Sequence, residues 1–415
     1  MNSVATLPTR SPAPDRGRLR AGLAMTGPAF IAAVAYIDPG NVATNITAGA
    51  KYGYLLLWVV VLANVMAMLI QYLSAKLGIA TGRNLPEMCR ERYPRPVRLG
   101  LWIQAELVII MTDLAEIVGG AVALNLLFGL PLVAGGVLTG LGLLLILSLR
   151  VRGRDGFPAV VIGLLGVVFL AFLYQALRLP VSHDGFLAGL RPQFAGGESV
   201  LLAAGIVGAT VMPHAIYLHS ALTQDLPADR RQRSRRDALR ATRWDVVVAM
   251  TMAGVVNIAI IVAGTALPVG SGDSLELAHA AFSVSSGQLT GVVFGVALLA
   301  SGLASSCVGV YSGQIVMQGF IRRRLPLWLR RGVSMAPPLV LLGAGMDPTL
   351  ALVLSQVALS FGIPFALVPL VLLTSRGDVM GAMVNRRVTV VLAVTATALI
   401  LSLNVYLLGV VAGVL

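Results

Sequence analysis

The sequence predicts an all-α integral membrane protein with eleven transmembrane helices, arranged as two inverted five-helix repeats and one additional helix. Three observations carry this prediction. The 415 residues are 57% hydrophobic and 12% charged, with a mean hydropathy of +0.85, whereas soluble domains are about 25% charged. Stretches free of Asp, Glu, Lys and Arg recur along the chain. Two of these stretches carry a proline at corresponding positions in the two halves.

The first 20 residues precede the predicted helices and differ from them in composition. They are rich in Pro and Arg and contain no apolar core, so they lack the central region of a cleaved signal peptide. We expect residues 1–20 to form a disordered basic arm on the cytoplasmic side.

The charge-free stretches give the positions of the predicted helices. A charge at mid-bilayer costs about 2.5 kcal/mol or more, and a helix needs about 20 apolar residues to cross the hydrocarbon. Residues 21–178 hold the five helices of the first repeat, with a turn at Gly129-Leu130-Pro131 between the third and fourth. Residues 198–375 hold the second, inverted repeat. Residues 388–415 form the additional eleventh helix.

The distribution of basic residues gives the orientation. All but three of the 31 Lys and Arg residues fall in six clusters, of which the largest is Arg230–Arg243, a predicted loop. With eleven spans every cluster lies on one side, which satisfies the positive-inside rule. We therefore expect a multi-pass protein of the cell (inner) membrane with a cytoplasmic N-terminus and an extracellular C-terminus. The net charge of +13 then reflects loops at the lipid bilayer, and we expect no nucleic-acid partner.

Proline interrupts the first and sixth predicted helices at matching places. The first contains Asp38-Pro39-Gly40-Asn41, and the sixth contains the sequence Gly208–His214 with Met212 and Pro213 in it. Proline removes a helical hydrogen bond, so both helices should unwind there. Matching breaks in two inverted repeats are typical of a transporter whose binding site lies at the membrane midplane. A proline alone is often a simple kink, but the carboxylate of Asp38 favours a site.

The residue types at the two breaks suit a divalent transition metal ion. Asp38 offers a carboxylate and Asn41 an amide oxygen, and the unwound turns free backbone carbonyls at residues such as Ala35 and Ala209. These hard oxygens suit many cations. Met212 adds a soft thioether, which suits the later transition metals and offers little to Ca²⁺ or Mg²⁺. A methionine in an apolar helix is often core filler; its place at the break favours a ligand role.

The third predicted helix carries three carboxylates within an apolar sequence. Glu106, Asp113 and Glu116 are separated by seven and three residues and therefore share one face. Carboxylates inside a membrane need partners or protons. The expected counter-charges are Arg330 and Arg331, which lie at the start of the short ninth helix, inside the protein or at the interface. A structural ion pair between Asp113 and Arg331 is the alternative to a role in proton transfer.

These motifs resemble those of bacterial members of the Nramp family of proton-coupled divalent metal ion transporters. The sequence Asp38-Pro39-Gly40-Asn41 is similar to the first-helix signature of the family, and Met212-Pro213-His214 is similar to its sixth-helix signature. Ala304–Phe320 resembles the family's transport motif, with Cys307 at a variant position. The resemblance extends from about Gly22 to Gly413.

The resemblance implies a LeuT-like fold with unwound helices 1 and 6, and a transporter rather than an enzyme. Such a protein imports Mn²⁺, and also Fe²⁺ and similar ions, into the cytoplasm together with protons by alternating access. The metal ion is then a substrate, no prosthetic group is needed, and we expect a monomer. Related magnesium carriers lack the methionine found at Met212. The metal ligands implied are Asp38, Asn41, Met212, Ala35, Ala209 and, in some conformations, Gln356.

A proton route is implied as well. Metal binding favours the charged form of a carboxylate, so binding at Asp38 would expel a proton, and Asp113 on the neighbouring helix could accept it. The resemblance pairs Asp113 with Arg331 and Glu106 with Arg330. The residues implied in this route are Asp38, Asp113, Arg331, His214, Glu116, Glu106 and Arg330. His219, beyond His214 on the same helix, is expected to be a polar packing residue.

Three other functions stay open at this point. A sodium-coupled amino-acid symporter of the same architecture would favour small and hydroxyl residues at the breaks, whereas Asp38 and Met212 fit a bare cation better. An intramembrane metalloprotease would need a motif such as H-E-x-x-H, which the sequence lacks. A passive channel would be favoured if metal flux were independent of protons.

Overall fold

The computed structural model describes residues 27–151, 156–178, 182–224, 235–268, 272, 274–323 and 325–412, and these form helices and connecting turns without a strand. The predicted basic arm, residues 1–20, lies outside the described residues. The helices are α1 (Pro28–Val34), α2 (Pro39–Tyr52), α3 (Leu57–Thr81), α4 (Leu85–Arg92), α5 (Arg95–Phe128), α6 (Leu132–Val151), α7 (Gly156–Arg178), α8 (His183–Ala188), α9 (Gly196–Thr210), α10 (Pro213–Thr223), α11 (Arg235–Thr265), α12 (Leu275–Ser286), α13 (Gln288–Ile321), α14 (Leu327–Gly343), α15 (Pro348–Thr374), α16 (Gly377–Met380) and α17 (Arg387–Val411).

Many of these helices are apolar enough to cross a membrane. Within the described ranges, eight meet the length and composition of a membrane span: α3, α5, α7, α9 taken together with α10, α11, α13, α15 and α17. Two shorter apolar helices occur at Pro28–Ile37 and Leu132–Leu147. All ten coincide with predicted spans. The predicted ninth span overlaps α14, which is not among these ten; it has 17 residues and contains Pro337 and Pro338.

Two helices break where the sequence predicts unwinding. After α1, a 3₁₀ turn at Ala35–Ile37 ends at Asp38, whose backbone is extended (φ −87°, ψ 166°), and α2 then begins at Pro39. In the second half α9 ends at Thr210, and α10 begins at Pro213. Each new helix therefore starts with the proline of the break, as expected for a residue with fixed φ and no N–H.

The halves of the two broken helices lie in the interior of the bundle. The α2 helix packs against α9, α11 and α15, and α10 packs against α3 and α13. The long helix α5 packs against both α13 and α15. In the most apolar 18-residue stretch of α9 and α10, 94% of the residues are buried in the protein, compared with 22% in the corresponding stretch of α17. The broken helices are therefore surrounded by protein, while α17 faces outward.

The structure extends the secondary structure beyond the predicted spans. Helix α11 begins at Arg235, so the part of the predicted Arg230–Arg243 loop that the structure describes is helical. This correction has a physical reason: residues 235–243 contain no Gly or Pro, and Arg and Ala are good helix formers. The short helices α4, α8, α12 and α16 lie between the longer ones, and three of them are capped by Asn84, Ser182 and Ser274.

Candidate metal centre

The two prolines at the breaks remove hydrogen bonds from two particular carbonyls. In an α-helix the carbonyl of one residue accepts from the N–H four residues later. Pro39 lies four residues after Ala35, and Pro213 lies four residues after Ala209. Since proline has no N–H, neither carbonyl can accept its usual α-helical hydrogen bond. The two predicted backbone ligands are thus equivalent positions in the two breaks.

Asp38 lies at the first break and caps the helix that follows it. Its Oδ1 accepts a hydrogen bond of 2.7 Å from the backbone N–H of Asn41. Its Oδ2 accepts one of 3.1 Å from Nε2 of Gln356. The side chain is completely buried, and each carboxylate oxygen has further lone-pair capacity. A buried carboxylate with two neutral donors and spare acceptor sites can bind a cation.

Asn41 is held by a network of amides. Its Nδ2 donates to the carbonyl of Tyr36 and, at 2.7 Å, to Oδ1 of Asn257. Its Oδ1 accepts from Nδ2 of Asn45 and retains a second lone pair. Because both amide hydrogens of Asn41 are engaged, its oxygen is the atom left for a cation.

Gln356 joins the two breaks. Its side chain binds Asp38 at the first break, and its backbone carbonyl lies against Gly208 near the second. A Cβ atom on Gly40 would overlap the Gln356 side chain, and a Cβ atom on Gly208 would overlap its carbonyl oxygen. Both glycines are therefore needed for this close approach. The Oε1 atom of Gln356 is buried without a hydrogen-bond partner among the described residues.

Met212 lies at the second break, immediately before α10, and its backbone is extended (φ −74°, ψ 121°). The 3₁₀ turn Ala35–Ile37 ends at the first break, and α9 ends at the second. The C-terminal end of a helix carries partial negative charge. The 3₁₀ turn and α9 contact each other. The described residues contain no group of three or more His, Cys, Asp or Glu side chains able to hold a metal ion. The candidate donors are mixed, and all are 0% exposed: Asp38, Asn41, Met212, Ala35, Ala209 and Gln356.

The predicted pairs of carboxylates and arginines are both present. Asp113 forms an ion pair with Arg331, and both are almost completely buried. Glu106 Oε2 lies 2.7 Å from Nη2 of Arg330, and Trp102 donates a hydrogen bond of 3.1 Å to its other oxygen. The Glu106 pair is partly open to its surroundings, with side-chain exposures of 20% for Glu106 and 10% for Arg330. The two pairs therefore differ in burial.

Glu116 lies close both to the ion pair of Asp113 and to the first break. One of its oxygens is 3.8 Å from Nη1 of Arg331; both oxygens are buried, and the side chain of Ser306 is within hydrogen-bonding reach of Glu116. Asp113 and Asp38 are both close enough to act on it electrostatically. Gly119, one turn later, packs against the ring of Pro39. The part of α5 that carries Glu116 is therefore packed next to the first break.

His214 follows the second break, in the first turn of α10, and its side chain faces α5. Its Nδ1 is 3.2 Å from the hydroxyl of Thr112, and its Nε2 is buried with no hydrogen-bond partner within the described ranges. Asp113 acts on the imidazole electrostatically. The residues predicted for a proton route are therefore close neighbours between the first break and the pair of Glu106 and Arg330.

Sequence reasoning missed two polar groups near the centre. One is Asn257, the acceptor for Asn41. The other is a buried chain in which Gln71 donates a hydrogen bond of 2.6 Å to the hydroxyl of Tyr36 and lies 2.7 Å from Nδ1 of His219. The isolated amide of Asn257 within an apolar predicted span is the available signal, since polar groups inside membrane helices are costly. His219, expected to be a packing residue, belongs to this chain.

Comparisons with known proteins give matches over nearly the whole chain. A family model described as "Natural resistance-associated macrophage protein-like", Nramp, matches residues 29–409. A protein of Bacillus subtilis named "Divalent metal cation transporter MntH" is 49% identical over 390 residues, which is 93% of this chain and 92% of that protein. A protein of the same name from Mycobacterium tuberculosis strain H37Rv is 49% identical over 401 residues, 95% of this chain and 93% of that one.

Solved structures also match this chain over most of its length. A mutant of the manganese transporter of Eremococcus coleocola superposes with a TM-score of 0.79 at 34% identity, covering 94% of this chain and 87% of that one. A nucleobase-cation-symport-1 family transporter superposes with a TM-score of 0.53 at 17% identity, covering 94% and 93%. At that identity the second likeness concerns the fold alone.

Proposed function

Because this chain belongs to the Nramp family, we propose that it is a secondary active transporter that imports Mn²⁺, and also Fe²⁺ and similar ions, into the cytoplasm together with protons. The observation that carries the proposal is a buried carboxylate at the first helix break, which Gln356 joins to Gly208 in the last turn of α9, just before the second break. Its relatives bear the name of divalent metal cation transporters, and its structural neighbour that of a manganese transporter. The metal ion is the substrate, and the protein is not an enzyme.

The metal ion is bound between the breaks. Asp38 supplies the negative charge, and Asn41, Gln356 and the two freed carbonyls supply neutral oxygens. Met212 supplies the single soft donor and favours transition metals over Ca²⁺ and Mg²⁺. For Gln356 to turn its unpartnered Oε1 toward the ion, its amide must leave Asp38, and the incoming ion replaces that hydrogen bond. The proposed ligands are Asp38, Asn41, Met212, Ala35, Ala209 and Gln356.

Proton transfer begins at the same carboxylate. A divalent cation favours the charged form of Asp38, so metal binding releases any proton held there. Glu116 lies within electrostatic reach of Asp38 and is buried, with the side chain of Ser306 within hydrogen-bonding reach of its carboxylate. Asp113 continues the route, and Arg331 compensates its charge. His214, Glu106 and Arg330 complete the route.

We further propose that the membrane topology is that of eleven spans with the N-terminus in the cytoplasm of a bacterial cell and the C-terminus outside. The ninth span is α14. Its N-terminal part carries Arg330 and Arg331, whose charges are compensated by Glu106 and Asp113 of α5. Residues 21–178 and 198–375 form the inverted repeats, and residues 388–415 the additional helix. Alternating access then exposes the breaks to one side of the membrane at a time. A monomer contains the whole route.

Transport in proteoliposomes tests this function. Mn²⁺ uptake and internal pH are followed together for the native protein, Asp38→Asn, and the control Asp184→Asn, whose carboxylate is exposed on α8. We expect Mn²⁺ entry with acidification in the native protein and the control, and loss of both in Asp38→Asn. Mn²⁺ entry without acidification would instead indicate a channel. Sodium-driven amino-acid uptake without Mn²⁺ entry would contradict the proposed substrate.

A further inference from the structure

A cluster of basic side chains surrounds Tyr72 near the end of α3. Lys76, one turn later on the same helix, is only 6% exposed. Its Nζ donates a hydrogen bond of 2.8 Å to Oδ1 of Asn385 and lies 5.9 Å from the centre of the Tyr72 ring. Arg386 acts electrostatically on both Lys76 and Tyr72, and Arg243 acts on Tyr72. Three cations from three helices or their ends thus lie within electrostatic reach of one phenol.

This cluster has no acidic partner in the part of the chain that the structure describes. None of the ion pairs found there includes Lys76, Arg243 or Arg386. Arg92 and Arg376, by contrast, both pair with Asp378. Burying an ammonium group is costly unless a charge or several hydrogen bonds compensate it. The cluster therefore presents positive charge that the described residues leave uncompensated.

The cluster lies where the outward apolar surface ends. Trp244, beside Arg243 on α11, is 70% exposed, and Val388, just after Arg386 at the start of α17, is also 70% exposed. Exposed tryptophan beside basic residues is typical of the level of lipid headgroups. The α3 helix contacts both α11 and α17. The cations are therefore placed at the edge of a lipid-facing surface.

We propose that Lys76, Arg243, Arg386 and the hydroxyl of Tyr72 bind the phosphate group of an anionic phospholipid. Arginine and lysine form charge-assisted hydrogen bonds with phosphate oxygens, and basic pockets between membrane helices bind lipid headgroups. The acyl chains would lie on the apolar surface next to Trp244. A lipid bound there holds α11 and α17 to α3. This proposal does not depend on the transported substrate.

Lipid titration tests the site. The purified protein in detergent is titrated with phosphatidylglycerol and, separately, with phosphatidylcholine, and bound lipid is counted by native mass spectrometry. Arg243→Gln and Arg386→Gln are suitable variants because both side chains are exposed and their loss should not disturb folding. Arg323→Gln, which changes an exposed arginine in the turn after α13, is the control with the same charge change as each single variant.

We expect the native protein and the control to retain one phosphatidylglycerol more tightly than phosphatidylcholine. Each arginine removed should weaken that binding about fivefold, and both together about 25-fold. Equal retention of phosphatidylglycerol by the double variant and the control would overturn the proposal. Displacement of the lipid by millimolar inorganic phosphate alone would also overturn it, because the ligand would then be a free anion.

Discussion

Met212 is the only soft donor among the residues proposed to bind the metal ion. Its substitution by alanine removes the thioether and leaves the oxygen donors in place. We expect Met212→Ala to weaken Mn²⁺ transport about tenfold, equivalent to about 1.4 kcal/mol, and to admit Ca²⁺, which prefers oxygen ligands. Competition of Ca²⁺ with Mn²⁺ uptake measures this change.

Met250, a fully buried methionine on α11, provides the control. Met250→Ala removes the same side chain from the core and should leave Ca²⁺ excluded. If Met212→Ala excluded Ca²⁺ as well as the native protein does, the thioether would have no part in selectivity.

Asp113 forms a buried ion pair that is either structural or part of proton transfer. Asp113→Asn keeps an oxygen that can accept from Arg331 but removes the group that can carry a proton. We expect acidification on Mn²⁺ uptake to fall strongly, while Mn²⁺ binding stays within about twofold because the proposed ligands are untouched. Uptake and binding are measured on the same preparation. Parallel loss of both, or a large fall in melting temperature, would make the pair structural.

Single residues of the site differ in how far the sequence can predict them. Asp38 stands out because a carboxylate beside a proline in an apolar helix is too costly to keep without a function. The role of Gln356 follows only from the family resemblance, since its contact with Asp38 joins residues 318 positions apart. Asn257 can be singled out as an amide in an apolar span, but its hydrogen bond to Asn41 depends on the packing of α2 against α11, which the sequence does not give.

At the level of elements, the breaks are the feature on which the site depends. Pro213→Ala restores an N–H that can bind the carbonyl of Ala209 and allow α9 and α10 to join. We expect Mn²⁺ affinity to fall about tenfold or more, because a carbonyl ligand is lost and Met212 is drawn into the helix. Titration with Mn²⁺ measures the affinity. Pro337→Ala in α14 is the control, and an equal effect there would argue against a specific role for the break.

Helix boundaries can be predicted where proline or charge marks them and not elsewhere. The starts of α2 and α10 follow from Pro39 and Pro213. The start of α11 does not, because its first two turns are charged and look like a loop in a hydropathy pattern. Asp245 within α11 accepts a hydrogen bond of 3.0 Å from the N–H of Ala29 at the start of α1. No local pattern could reveal that contact, which spans 216 positions.

For the whole molecule, the distribution of basic residues carries the proposed topology. In the proposed topology α13 crosses the membrane, so the variant Arg323→Cys should be cytoplasmic at that position and the variant Val284→Cys, at a residue 88% exposed on α12, should be extracellular. The native thiols, Cys89 and Cys307, are buried and are replaced by alanine in the background. In intact cells we expect an impermeant maleimide to label the position 284 variant and not the position 323 variant. Labelling of both variants from outside would contradict the proposed crossing by α13.

The central claim is that the two helix breaks form one metal site whose occupation releases protons. Calorimetric titration of the purified protein with Mn²⁺, in two buffers of different ionisation enthalpy, measures affinity and proton release together. We expect the native protein and Asp184→Asn to bind one Mn²⁺ per chain with proton release, and Asp38→Ala to lose both. Unchanged Mn²⁺ binding and proton release in Asp38→Ala would contradict the account.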